Sequence, residues 1–271
     1  MQTKRAIRAV KPSAGLRDEY EKKLVAMVRA MSEDLSKAIK QTYAQNEPLI
    51  AQDASLPSVT LRILFNRKRK EWMEKINKDA KTFADWFVES EYKHFVRAQK
   101  SSLRSGGLNG LAVDFTTGNV TKDILRAIVN ENVTLIRSIG EKYLNDVEGL
   151  VMRSVTRGGD IKTLAEDLAE RYDITKRRAV FIARDQNQKA TTSLAMANAK
   201  DAGIREAKWI HVPGRKSSRE SHEKMNGKIF DLDKGLYDSE VKRWVTPGEL
   251  PGCNCVFQLI YDTNLWNKNS S

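Results

Sequence analysis

Apolar side chains recur every three or four residues through most of the first two hundred positions, a period that commits the chain to long amphipathic helices. Over residues 18–45 the stripe is Tyr20, Leu24, Met27 or Val28, Met31, Leu35 and Ile39. Residues 60–103 carry a second, Trp72, Ile76, Ala80, Phe83, Phe87 and Phe95, read as core or subunit interface rather than a base-stacking platform. A third, near-heptad stripe runs from Thr121 towards Arg157 through Leu125, Val129, Ile136, Ile139, Tyr143, Val147 and Leu150. Two shorter helices are expected next. One spans Ile161 to Tyr172 with Leu164 and Leu168 on one side; the other runs from about Thr175 to Ala202 and ends at Gly203 as a C′ glycine.

Breaks separate these stripes. Pro48 and Pro57 bracket a linker that cannot continue a helix, and Ser105-Gly-Gly-Leu-Asn-Gly is a flexible interruption. Asp114 to Gly118 reads as a turn or strand end, and Gly158-Gly159 stops the third helix, with Asp160 placed to N-cap the fourth. Beyond Gly203 the texture changes. Trp209-Ile-His-Val, Lys228-Ile-Phe and Cys255-Val-Phe-Gln-Leu-Ile-Tyr have the composition of short strands between Gly, Pro and Asn. Helices first and strands last predict an α+β fold, mainly α, with long amphipathic helices followed by a small C-terminal β-containing unit. The domain reading is a basic helical arm over 1–104, a linker and long central helix over 105–157, and a C-terminal module over 158–271.

Charge and cysteine content narrow the function. The net charge is +12, with the excess heaviest in residues 1–104, so a polyanion such as double-stranded DNA is an expected neighbour. The densest cluster, Arg67-Lys68-Arg69-Lys70, suits either phosphate contacts or a solvated helix face. No apolar run approaches a bilayer span, and Met1-Gln-Thr-Lys-Arg-Ala-Ile-Arg lacks the apolar core of a secretory signal; no membrane partner is expected. Cys253 and Cys255 are the only cysteines, too few for a disulfide framework and awkwardly spaced for a mutual bond.

Chemistry-bearing residues concentrate towards the C-terminal end. His222, Cys253 and Cys255 are three soft or borderline ligands that a hairpin can bring together, and Zn²⁺ favours thiolate and imidazole in tetrahedral geometry. A fourth ligand is not evident; His211, Asp231 and Asp238 are the candidates. The other reading is metal-free: two buried thiols, a histidine bonded to backbone, and a core of Trp209, Phe230, Trp244 and Phe257. Asn226-Gly227 fits a type I′ or related turn into Lys228-Ile-Phe230, and Arg219 can bond a carboxylate or the chain's own backbone to hold a loop. Catalytic signatures are missing. There is no Gly-x-Ser-x-Gly elbow or phosphate-binding Gly-x-x-x-x-Gly-Lys loop, and His222-Glu223 fails as a zincin helix because position 226 is Asn. The Cys-x-Cys spacing also departs from that of the zinc deaminases.

Taken in order, Ile182-Ala-Arg-Asp-Gln, Trp209, Arg219-Glu-Ser-His222, Asn226-Gly227, Pro247-Gly248 and Cys253-Asn-Cys255 resemble the Mu F-like head-morphogenesis proteins of tailed phages, over about residues 150–262. Asn254 departs from the family pattern, in which arginine usually sits between the cysteines. The resemblance implies a non-enzymatic minor head protein associated with portal or inner capsid, acting in head morphogenesis and in DNA packaging or ejection. It implies portal or major capsid protein as partner, self-association through the long helices, and a place in the virion head assembled in a bacterial cytoplasm. A DNA-binding protein outside any virion and a zinc-dependent nuclease or toxin-like enzyme are the alternatives.

Overall fold

The computed structural model describes residues 4–46, 56–105, 118–156, 161–214 and 218–262. The order is β1 (Lys4–Ala6), α1 (Ala14–Asn46), α2 (Leu56–Ser105), α3 (Asn119–Thr156), α4 (Ile161–Asp201), β2 (Glu206–Ile210), α5 (Glu220–Met225), β3 (Ile229–Asp231), β4 (Leu236–Asp238), β5 (Arg243–Val245) and β6 (Val256–Asp262). Four long helices precede a small strand-rich region, so the fold is α+β and mainly α. The breaks expected at Pro48, at Ser105-Gly-Gly-Leu-Asn-Gly and at Gly158-Gly159-Asp160 lie largely or wholly outside the described residues; Pro57 falls in the first turn of α2, where its missing N–H costs nothing.

The two helices expected at 161–172 and 175–202 are one, α4. Asp173-Ile174-Thr175 contains neither Gly nor Pro, and Thr175 is absorbed by bonding its hydroxyl back to the Arg171 carbonyl at 3.0 Å. The helix ends as expected. Gly203 has φ +75°, Ile204 N–H donates to the Ala199 carbonyl and Gly203 N–H to the Lys200 carbonyl, the double closure of a Schellman cap.

The chain forms two compact units. The helical unit comprises Asp18–Asp85 and Asn130–Ala183. Its core takes Tyr20, Leu24, Met31, Leu35 and Ile39 from α1, Leu61, Phe65, Trp72 and Ile76 from α2, and Ile136, Ile139, Tyr143 and Val147 from α3, all buried. Two polar pairs brace it: the Tyr20 hydroxyl donates to Asn132 Oδ1 at 2.8 Å, and Trp72 Nε1 to Asp34 Oδ2 at 2.8 Å. Gly140 lies where a Cβ would come 2.2 Å from Ile76 Cδ1, so glycine is what lets this close approach occur.

The mixed unit comprises Met1–Arg17, Trp86–Val129 and Arg184–Ser271. Its main sheet is antiparallel in the order β1-β6-β2-β3, with β4 and β5 as a separate hairpin. Residues 4–6, read from sequence as part of a helical arm, are the edge strand β1, paired Lys4 to Asp262 and Ala6 to Ile260. The C-terminal half of α4 buries Ala190, Thr191, Thr192, Leu194, Ala195, Ala197 and Ala199, a run of mostly small residues that allows close packing. Thr192 is an example: Gly248, at φ +80°, sits so near that a Cβ there would meet Thr192 Oγ1 at 2.6 Å. Asp201, the last residue of α4, caps α3 from a distance in sequence. Its carboxylate accepts the Thr121 amide at 2.9 Å and hydroxyl at 2.7 Å, and the Val120 amide at 3.3 Å.

Candidate metal centre

Within the mixed unit, β2 and β6 pair from Glu206 opposite Ile260 to Ile210 opposite Val256. This register places the residue just after β2, His211, beside the residue just before β6, Cys255: His211 Nδ1 lies 3.5 Å from Cys255 Sγ. Alternation along β2 turns Ala207 and Trp209 inward. Trp209 packs edge-on against His222 and Phe230, at 5.3 and 5.9 Å between centroids, and Phe230 against Phe257 at 6.2 Å. Trp244, expected in this core, is 47% exposed: it meets Tyr237 edge-to-face across the β4–β5 hairpin, with Lys234 Nζ 4.0 Å from its ring centre.

The connection from β2 to β3 passes through α5 and returns at Asn226-Gly227. Asn226 has φ −53° and ψ 129° and Gly227 φ +80°, with Lys228 N–H bonded to the Met225 carbonyl at 3.0 Å. The expected type I′ or related tight turn is of type II, because only the second central residue has positive φ. Asn226 also accepts the His211 amide on Oδ1 at 3.0 Å, so the turn fixes the backbone that carries His211.

His222, on α5, is 2% exposed and meets both cysteines through Nδ1, at 3.4 Å from Cys253 Sγ and 3.7 Å from Cys255 Sγ. The ligand atoms of His222, Cys253 and Cys255 all lie within 4.8 Å of one another, and both thiols are free and buried. On its other side, His222 Nε2 is 3.1 Å from Oδ2 of Asp238, which is completely buried. The second oxygen of Asp238 accepts the Glu240 amide at 2.8 Å and the Val241 amide at 3.5 Å.

These contacts set the electrostatics. Burial pushes the Asp238 carboxyl up, but the Glu240 and Val241 amides and His222 outweigh it and hold the group below its usual range. Burial likewise disfavours the His222 imidazolium, yet Cys253 and then Asp238 raise its pKa above the ordinary value. The thiols divide: the Cys255 thiol and then His222 hydrogen-bond to Cys253 and lower its pKa strongly, while the same partnership, with burial, pushes Cys255 up.

Residues of α4 hold the cysteine segment in place. Asp185 Oδ1 accepts the Gly252 amide at 2.7 Å, and Gln188 Nε2 donates to the Cys255 carbonyl at 2.9 Å. Arg219 Nη2 donates to the Pro251 carbonyl at 3.0 Å. Gln188 carried no sequence signal; Asp185 stood inside Ile182-Ala-Arg-Asp-Gln but without a partner legible from spacing. Of the candidate fourth ligands, Asp238 stands behind His222 rather than beside the thiols, and Asp231 is exposed, its Oδ1 accepting the Asp233 and Lys234 amides. His211 touches the cluster, and its Nε2 is buried without a hydrogen-bond partner among the described residues.

The basic cluster belongs to the helical unit. Lys68 bridges Asp34 at 3.0 Å and Glu71 at 3.1 Å, and Arg69 pairs with Glu148 and bonds Asn145 Oδ1 at 2.5 Å. Arg67 lies 3.7 Å from Glu71, and Lys70 is exposed. Lys68 and Arg69 are therefore committed to carboxylates of their own unit. No helix among the described residues is long and apolar enough to cross a membrane.

Comparison with known proteins agrees with the resemblance drawn from the motif residues. Residues 145–258 match the family described as Phage Mu protein F like protein. Over 261 residues the chain is 26% identical to an uncharacterized protein of Haemophilus influenzae, covering 96% of this chain and 56% of that protein. The chain thus spans about half the length of this relative. No solved structure matches. The segment that matches the family described as Phage Mu protein F like protein contains His211, His222, Cys253 and Cys255 together with Asp185 and Gln188 of α4.

Proposed function

We propose that this chain is a minor head protein of a tailed-phage particle, associated with the portal or inner capsid and acting in head morphogenesis. The observation that carries this reading is that the family match spans the site as one piece, from the α4 residues that anchor the cysteine segment to Cys255 itself. Similarity to the Haemophilus influenzae protein extends across nearly the whole chain, so the helices and the C-terminal module recur together in a longer protein. In this reading the long helices supply contacts to portal or capsid protein or to further copies, and the basic surface lies near packaged double-stranded DNA. A role in packaging or ejection follows from that location.

The test is a deletion in a phage genome that encodes the chain, complemented by a tagged copy. The tagged protein is expected to sediment with purified heads at low copy, and its loss to reduce the yield of DNA-filled heads. Filled heads in normal number without the protein, or a tagged chain absent from them, would overturn the assignment.

A further inference from the structure

We propose that His211, His222, Cys253 and Cys255 form a closed tetrahedral site for one Zn²⁺, with Asp238 as the residue that orients His222. The reading is independent of head assembly, since heads could form with or without the metal.

Three geometric facts carry it. First, zinc–sulfur and zinc–nitrogen bonds of about 2.3 and 2.05 Å place tetrahedral ligand atoms about 3.3–3.8 Å apart, with a sulfur and a nitrogen about 3.6 Å apart. The separations here are 3.4 Å from His222 Nδ1 to Cys253 Sγ, 3.7 Å from His222 Nδ1 to Cys255 Sγ and 3.5 Å from Cys255 Sγ to His211 Nδ1. A thiol–imidazole network needs one such contact; a shared centre needs several of similar length. Second, the buried Asp238 carboxylate engages Nε2 of His222 at 3.1 Å. A proton held there leaves the Nδ1 lone pair directed at the two sulfurs, the carboxylate–histidine–metal arrangement that fixes a ligand's tautomer and ring. Third, the backbone of each ligand is held too: His222 N–H donates to the Arg219 carbonyl at 3.1 Å and Cys253 N–H to the Leu250 carbonyl at 2.9 Å. Asn226 accepts the His211 amide, and Gln188 donates to the Cys255 carbonyl.

His211 stands just outside the tight three-residue cluster, and its other ring nitrogen has no hydrogen-bond partner among the described residues. The ring is tied at one end only, through its contact with Cys255, and the fourth corner requires it to turn towards His222 and Cys253. Two thiolates and two imidazoles select Zn²⁺ over harder cations, and four protein ligands leave no open position for substrate. The metal is therefore structural. It joins the segment after β2, helix α5 and the turn before β6, a region with no disulfide and a core of few aromatic rings.

The experiment uses the full chain, stripped with a chelator under reducing conditions and titrated with Zn²⁺ or Co²⁺ alone. Expected are one equivalent of metal per chain and, with Co²⁺, the visible bands of a tetrahedral site together with thiolate charge transfer. Cys253→Ser should remove the charge-transfer intensity of one thiolate. Asp238→Asn should keep one equivalent but weaken it about 10- to 100-fold, the usual effect of losing an outer-shell partner. His211→Ala should weaken it further and change the Co²⁺ spectrum. A folded wild-type chain that binds neither ion, or binds Co²⁺ without charge transfer, overturns the site. Unchanged affinity and spectrum in His211→Ala overturn the fourth ligand. If Cys253→Ser does not fold, the wild-type Co²⁺ spectrum and the Asp238→Asn affinity decide.

Discussion

Gly140 offers the sharpest check on how the helical unit packs. In a solvent-facing helix interior, Gly→Ala stabilises by about 1 kcal/mol, because alanine has less backbone entropy to lose. At Gly140 the new Cβ would sit 2.2 Å from Ile76 Cδ1 and 3.3 Å from Cγ1, and Ile76 is completely buried. Both distances are below carbon–carbon contact, so Ile76 must leave its rotamer or the helices must separate. Overpacking of this kind costs about 1–3 kcal/mol. Setting this against the propensity gain, Gly140→Ala should be neutral to about 2 kcal/mol destabilising, read from the urea midpoint at constant m-value. Ile76→Val removes the offending methyl and alone should cost about 0.5–1.5 kcal/mol. The double variant should be more stable than the sum of the two singles, since the shorter side chain vacates the space the alanine needs. Gly140→Ala stabilising by the full propensity value, with no coupling to Ile76→Val, would refute the close approach of α2 and α3.

Two further predictions concern the mixed unit. Burial raises the pKa of Glu91, against a hydrogen bond from Thr191 and attraction from His94 that lower it, and its Oε2 has no partner among the described residues. The folded state therefore holds the proton more tightly than the unfolded one, so stability should fall as pH rises from the ordinary carboxyl range through the raised value. Glu91→Gln should flatten that dependence and add about 1–3 kcal/mol at neutral pH, the penalty for an unsatisfied buried group; denaturation at several pH values in which both proteins follow the same slope would contradict it. At Asp201 burial is outweighed by the Thr121 and Val120 bonds, which hold the carboxyl below its usual range. Stability from this cap is present above the unfolded pKa and lost as pH falls through the depressed folded one. Asp201→Ala should cost about 0.5–2 kcal/mol at neutral pH and converge with wild type in acid; a pH-independent difference would mean that the carboxylate does not cap α3.

What could be read from the sequence was whatever had a period or a composition. The stripe from Tyr20 to Ile39 is buried along its length because nothing but a helix aligns those residues. Strands β2, β3 and β6 are close to where Trp209, Ile229-Phe230 and Val256-Phe257 suggested. Strand β1 carried no such signal: Lys4-Arg5-Ala6 has no strand composition and pairs only because β6 offers an open edge. The fusion of the fourth and fifth predicted helices was hidden for a related reason. Thr175 lowers helix propensity locally, and only its bond to Arg171 shows that the cost is met within the helix. Trp244 looked like core by residue type, but a three-residue strand in a two-stranded hairpin has too little sheet behind it to bury an indole.

The candidate site divides along the same line. Residue type and order singled out His222, Cys253 and Cys255, since few side chains bind soft metals. The residues that make them converge are ordinary ones. Asp185 and Gln188 are three apart on a helix, so they share a face, and that face receives the Gly252 amide and the Cys255 carbonyl. Asp238 was weighed as a ligand because a carboxylate can be one; its buried position behind Nε2 makes it an orienting group instead. Nothing local to Asp238 distinguishes these roles, since the choice depends on which side of the imidazole the β4 strand passes. A thiol–imidazole site of this kind has ligands legible by chemistry and geometry set by tertiary contacts. Substitutions at Asp185 or Gln188 should accordingly disturb the cysteine positions without touching a sulfur.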